Sequence, residues 1–140
     1  MQQEYSSTYS IELIDSHGDR VGAEVEVTVR DWTEDQRRHR PCTVRLTWQE
    51  HVVEATEFSV YHAFQNVREQ LEANGLVPYC YGSCPDVRVS GMAVDMGDGT
   101  LAYRMSQSSG VGLPPMVNVF DSEPGLKLGS VAEQRAQWGG

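Results

Sequence analysis

The chain has 140 residues, 39 % apolar and 22 % charged, a size at which one domain buries roughly two-thirds of its unfolded surface without disulfides or metals. Twenty acidic against eleven basic residues leave a formal charge of −9, which repels phosphate backbones and anionic headgroups over about a Debye length and points away from nucleic acid and membranes as partners. No apolar run approaches the roughly 20 residues of a membrane-spanning helix. The start, Met1 to Ser7, has neither the positive segment nor the apolar stretch of a secretory signal, so the expected location is cytoplasmic. Three cysteines, Cys42, Cys80 and Cys84, are an odd number in such a chain and are expected as reduced thiols.

Residues Tyr9 to Asp15 and Val21 to Val29 alternate apolar with polar, the period of a half-buried strand, and Ser16-His17-Gly18-Asp19 between them is turn chemistry. The pattern predicts a β-hairpin with Ala23, Val25, Val27 and Val29 on one face and Glu24, Glu26 and Thr28 on the other. Thr33 to Pro41 is polar, carries Arg37-Arg38-His39-Arg40, and is expected as an exposed loop. Thr43 to Trp48 and His51 to Ala55 read as two strands or one bent strand, since Gln49-Glu50 lacks the glycine or asparagine usual in a two-residue turn.

Ser59 is a helix cap for a stripe formed by Val60, Phe64, Val67 and Leu71, whose spacings of four, three and four keep them on one side. Asn74-Gly75-Leu76 supplies the matching C-terminal signal. Short strands are expected at Val77 to Tyr81 and Val87 to Val89. A hairpin joins Met92 to Met96 with Leu101 to Met105 through Gly97-Asp98-Gly99. A serine- and glycine-rich loop from Ser106 to Gly112 precedes a strand from Met116 to Phe120. Ser130-Val131-Ala132-Glu133 is a capping-box pattern opening a short helix to about Trp138. The expected fold is α+β, a mainly antiparallel sheet packed on one main helix with a short C-terminal helix. It forms one domain over 1–140, with 1–7 and 139–140 flexible.

Chemistry-bearing residues do not converge in the sequence. Cys80 and Cys84 are separated by three residues, where zinc and redox pairs usually have two between them, and His17, His39, His51 and His62 are scattered without spacing for a shared ion. No metal site, cofactor site or catalytic residue is assigned. Only folding would bring His51 or His62 to a thiol as a base. Arg37-Arg38-His39-Arg40 is a cationic island on an anionic chain, suited to a salt link with the protein's own acids or an acidic patch elsewhere.

Cys80-Tyr81-Gly82-Ser83, Ser90-Gly91-Met92, Asp95-Met96-Gly97, Ala102-Tyr103-Arg104, Asn118-Val119-Phe120-Asp121 and Ala132-Glu133-Gln134-Arg135 together resemble a pattern found in small uncharacterised bacterial proteins. The resemblance covers only the second half of the chain and implies a bacterial source and a stand-alone domain, several such proteins being similar to neighbours of secreted toxins. It brings no activity with it.

Two functions are expected. The first is a non-catalytic acidic binding protein, an immunity or inhibitor protein that neutralises a basic toxin, with Glu24, Glu26, Asp31, Glu34 and Asp35 contributing the attraction. The alternative is a small enzyme or ligand-binding domain with a pocket between Cys80 and Gly99, for which Cys80, Cys84 and Asp95 are the groups to test. Oligomeric state is open.

Overall fold

The computed structural model of the chain describes residues 2–91, 98–105 and 114–138. Two long strands, β1 (Gln3–Ile14) and β2 (Arg20–Glu34), form an antiparallel hairpin in unbroken register from Gln3 opposite Asp31 to Ile14 opposite Arg20. Its turn is built by Asp15, whose carboxylate accepts the backbone N–H groups of His17 and Asp19, each at 2.9 Å, while Gly18 takes φ of 83°. Ala23, Val25, Val27 and Val29 are buried and Glu24 and Glu26 exposed, as the alternation requires. Residues 3–7, expected as a flexible tail, are instead the first part of β1: their Gln-Glu-Tyr-Ser-Ser run shows no apolar alternation, but β2 supplies the missing register.

The expected loop from Thr33 to Pro41 is also corrected. β2 continues to Glu34, Asp35 and Gln36 turn the chain with φ of 52° and 65°, and β3 (Arg37–His39) returns antiparallel with Trp32 opposite His39. Polarity hid a hairpin whose stabilisation comes from cross-strand pairs: Trp32 stacks on His39 at 5.2 Å and Arg38 grips Asp31. β4 (Cys42–Trp48) and β5 (His51–Glu57) are two strands joined by the tight turn at Gln49-Glu50, with Gln49 at φ of 50°. The main sheet has the order β5-β4-β2-β1-β6, where β6 is the two-residue Val77–Pro78, and β3 pairs with β2 outside that path.

Helix α1 (Val60–Glu72) begins where Ser59 Oγ accepts the His62 N–H at 3.0 Å. It ends with Leu76 N–H to Leu71 C=O and Gly75 N–H to Glu72 C=O, each 3.0 Å, Gly75 sitting at φ of 72°. Val60, Phe64, Val67 and Leu71 are almost fully buried in the core formed with the sheet, a burial worth roughly 6–12 kcal/mol before chain entropy is subtracted. The flank of α1 beside that stripe is buried as well, because Tyr61, Gln65 and Arg68 meet a second layer made by the C-terminal third, while Asn66 and Glu69 on the far side are exposed.

In that layer a single 3₁₀ turn (Tyr81–Ser83) precedes β7 (Val87–Arg88), β8 (Leu101–Arg104) and β9 (Met116–Asn118), a three-stranded antiparallel sheet in the order β7-β8-β9. Of the stretch predicted as a strand over 77–81, only Val77–Pro78 is one, and the Tyr81–Ser83 turn follows it. The first arm of the predicted hairpin at 92–96, the 106–112 segment and residues 139–140 lie outside the described residues. Helix α2 (Val131–Trp138) opens with the predicted capping box: Glu133 N–H donates to Ser130 Oγ at 3.0 Å and Ser130 N–H to Glu133 Oε1 at 2.9 Å. Phe120 joins the layers, stacked on Tyr9 of β1 at 4.7 Å and edge-on to Phe64 of α1 at 4.9 Å. The fold is α+β, a mostly antiparallel sheet on one main helix, closed by a short terminal one.

Candidate functional site

The acidic residues singled out in the sequence are distributed along β2 and do not form one patch. Glu24 and Glu26 project from the outer, solvent-facing side of the sheet, where Glu26, Arg45 and Glu54 lie in one cross-strand row. Glu34 and Asp35 are exposed at the far end of β2, roughly 33 Å from Glu24 at the rise of an extended strand. Asp31, near that end, is bound by Arg38 through Nε to Oδ1 at 3.0 Å and Nη2 to Oδ2 at 2.6 Å. Those bonds hold its carboxyl below the usual range. The cationic island is therefore used in part within the molecule.

The alternative pocket fares differently from its sequence appearance. Cys80 and Cys84 are 0 % and 1 % exposed, and burial pushes their thiols up to about 11 and about 12. A thiol held neutral in an apolar setting is a poor nucleophile. Among the described residues no hydrogen bond links either thiol to His51 or His62; Cys84 Sγ points to the Cys80 carbonyl at 3.7 Å. Asp95 lies outside the described residues. Among those described, no group of three or more His, Cys, Asp or Glu is placed to hold a metal ion, and no helix is long and apolar enough to cross a membrane.

Folding does create one serine–histidine contact, Ser59 Oγ to His62 Nδ1 at 2.5 Å. Its chemistry is architectural. Ser59 is 0 % exposed, and its oxygen is already engaged as the cap of α1, so no substrate carbonyl can approach it.

A buried polar network went unseen in the sequence. Arg68 Nη1 donates to the Gly82 carbonyl and to Gln134 Oε1, both at 2.7 Å, and Nη2 donates to the Gly129 carbonyl at 3.2 Å. Gln134 Nε2 in turn reaches the carbonyls of Cys84 at 2.9 Å and Val87 at 3.0 Å, and Gln65 Nε2 donates to Gln134 Oε1 at 2.9 Å. These bonds tie α1, the 3₁₀ turn, β7 and α2 together. The only hint in the sequence is position: Arg68 and Gln65 are three apart, on the flank of the helix beside the apolar stripe.

The chemistry that best matches an anionic binding role lies at one end of the fold, where the β1–β2 turn, the end of α1 and the start of α2 meet. A cleft of about 410 Å³ there has Asp15, Glu72 and Glu133 among its lining and an apolar floor of Ile14, Val77 and Leu128. None of its lining residues is Lys or Arg. Each carboxylate is positioned by backbone N–H groups: Asp15 by His17 and Asp19, Glu72 by Val131 at 2.8 Å, and Glu133 by Ser130. The Ser130 N–H holds the Glu133 carboxyl below its ordinary value. Such a site offers fixed negative charge beside apolar surface, the two features that the charged tip and aliphatic stem of a lysine or arginine side chain require. Sequence reasoning missed it because Asp15, Glu72 and Glu133 are far apart in the chain and only the capping roles of two segments were legible.

Compared with models of known protein families and with curated proteins, the chain matches none.

Proposed function

We propose that the protein is a non-catalytic binding domain that captures a basic surface of another protein, acting as an immunity- or inhibitor-type partner of a basic toxin in the bacterial cytoplasm. The carrying observation is the cleft in which Asp15, Glu72 and Glu133 surround Ile14, Val77 and Leu128 without a basic lining residue. A protruding lysine or arginine of the partner enters it, its stem on the apolar floor and its cation against the carboxylates. The net charge of −9 raises the encounter rate with a cationic surface over a range set by screening. Glu24, Glu26, Asp31, Glu34 and Asp35 add to the long-range field and do not make a common contact surface.

The test uses the immobilised chain against extract of the cells that make it, beside the variant Asp15→Asn/Glu72→Gln/Glu133→Gln. The amides keep the acceptor oxygens that position the backbone and remove only the charge. A basic protein retained by the native chain, and released by salt or by the triple substitution, is the expected result. Retention indifferent to all three substitutions, or the absence of any basic protein, contradicts the proposal.

A further inference from the structure

We infer that two copies of this chain pair through the free edges of β1, antiparallel about a twofold axis at Ser7, joining their main sheets into one. The first step is which backbone groups face outward. The two-residue turn at Gln49-Glu50 makes Trp48 and His51 a mutually hydrogen-bonded pair, and the bonded pairs then alternate through the register of β5, β4, β2 and β1. The alternation turns Tyr5, Ser7, Tyr9 and Ile11 of β1 toward β2. It leaves the N–H and C=O groups of Glu4, Ser6, Thr8 and Ser10 on the outer edge. Two contacts agree with that parity: Tyr79 N–H reaches the Glu12 carbonyl at 2.8 Å from outside β1, and Arg30 N–H reaches the Pro41 carbonyl at 3.2 Å on the β4 side of β2.

β6 covers β1 only at Leu13 and Ile14. Among the described residues no backbone hydrogen bond reaches Gln3 to Ser10 from any element other than β2. An open edge of this length is a pairing template unless something blunts it. Among the described residues nothing does: the stretch has no proline, lysine or arginine, and its register is unbroken. The opposite edge of the sheet is guarded. Gln70 Nε2 occupies the outward Glu54 carbonyl at 3.1 Å, and Glu50, Glu54 and Glu57 line that strand and its turn.

Charge selects the occupant. Two bodies of charge −9 repel least where the surfaces that meet are neutral, and Gln3 to Ser10 carries a single charge, Glu4, already paired with Arg30 at 3.4 Å. With Ser7 facing Ser7 of the second copy, Ser6 faces Thr8, Tyr5 faces Tyr9, and Glu4 faces Ser10. Every outward residue finds a bonded partner, and no carboxylate faces another. Tyr5, 49 % exposed in the single chain, gains an aromatic neighbour. A basic partner strand would have little charge to read along this edge, which separates it from the acidic cleft.

Sedimentation velocity over a concentration series reaching hundreds of micromolar, at low and high salt, tests the pairing. A dimer that strengthens as salt screens the like-charged bodies is expected, the opposite of the salt response of the cleft. Thr8→Pro removes one outward N–H and leaves every β1–β2 bond intact, so it weakens the dimer about tenfold or more. Ser7→Glu sets two carboxylates face to face and does the same without proline. Both variants keep the far-ultraviolet spectrum of the native chain. A native chain that stays monomeric throughout, or dimers that ignore both substitutions, overturns the inference.

Discussion

Arg68 and Gln134 share a hydrogen bond of 2.7 Å between side chains that are 1 % and 0 % exposed, and no carboxylate completes the pair. Among the described residues the guanidinium is hydrogen-bonded to carbonyl and amide oxygens only, and desolvation pulls its pKa down. Taking Gln134 away leaves that buried charge with the Gly82 and Gly129 carbonyls and one acceptor short. Taking Arg68 away removes that charge, while Gly82 and the Gln134 amide keep other partners. Gln134→Leu is expected to cost about 3 kcal/mol of unfolding free energy and Arg68→Met less, about 1–2 kcal/mol. The double variant costs less than the sum, because both remove one network. Urea unfolding of the four proteins measures the cycle, and simple additivity would mean that the network does not act as a unit.

Gly82 sits against that network for a steric reason. A Cβ built there lies 2.7 Å from the Phe64 ring and 3.1 Å from the Val119 carbonyl, while its N–H donates to that same carbonyl at 2.8 Å. Gly82→Ala is expected to destabilise by about 2 kcal/mol, since neither the backbone nor a ring wedged against Phe120 can retreat freely. A thermal melt unchanged from the native chain would show that Phe64 moves aside.

Thiol labelling follows from burial. Cys42 is pushed up to about 11, Cys80 to about 11 and Cys84 to about 12 by desolvation, so the reactive thiolate is scarce near neutral pH. Labelling of the folded protein by an aromatic disulfide should run about a hundredfold or more slower than that of a free thiol. The rate should rise with denaturant as the chain opens. One cysteine that labels rapidly without denaturant would bring back the catalytic reading of the Cys80 to Gly99 region.

His62 gives the fold a mild acid sensitivity. Burial lowers its imidazole below the ordinary value, so on acidification the unfolded chain takes up the proton first. Stability from this group is complete above about pH 6.5 and is lost as pH falls from there through the lower folded value. Asp31 and Glu133, held low by Arg38 and by the Ser130 N–H, act only below the usual carboxylate range, where their contribution is lost in the same direction. Denaturant midpoints between about pH 7 and 5 should therefore fall less for His62→Gln than for the native chain. Equal slopes would remove His62 as the cause.

What the sequence disclosed was whatever one segment could announce alone. Val25, Val27 and Val29 announced a strand, Ser59 with Val60, Phe64, Val67 and Leu71 a helix, and Ser130 with Glu133 a cap. Ser6 to Thr8 and Arg37 to His39 gave no signal because their strand character is conferred by partners, Glu26 to Thr28 in one case and Trp32 to Glu34 in the other. The cleft was illegible for the same reason. Asp15, Glu72 and Glu133 are each explained locally by the turn, helix end or cap they serve, and only the meeting of three element ends turns three caps into one anionic site.

The association rate of the captured basic partner with the native chain and with Asp15→Asn/Glu72→Gln/Glu133→Gln, followed across a salt series, tests the binding account most directly. The account predicts a native rate that falls steeply with salt, a slower and flatter rate for the triple variant, and a partner that dissociates about tenfold faster from it. Identical rates and identical salt slopes for the two proteins would contradict it.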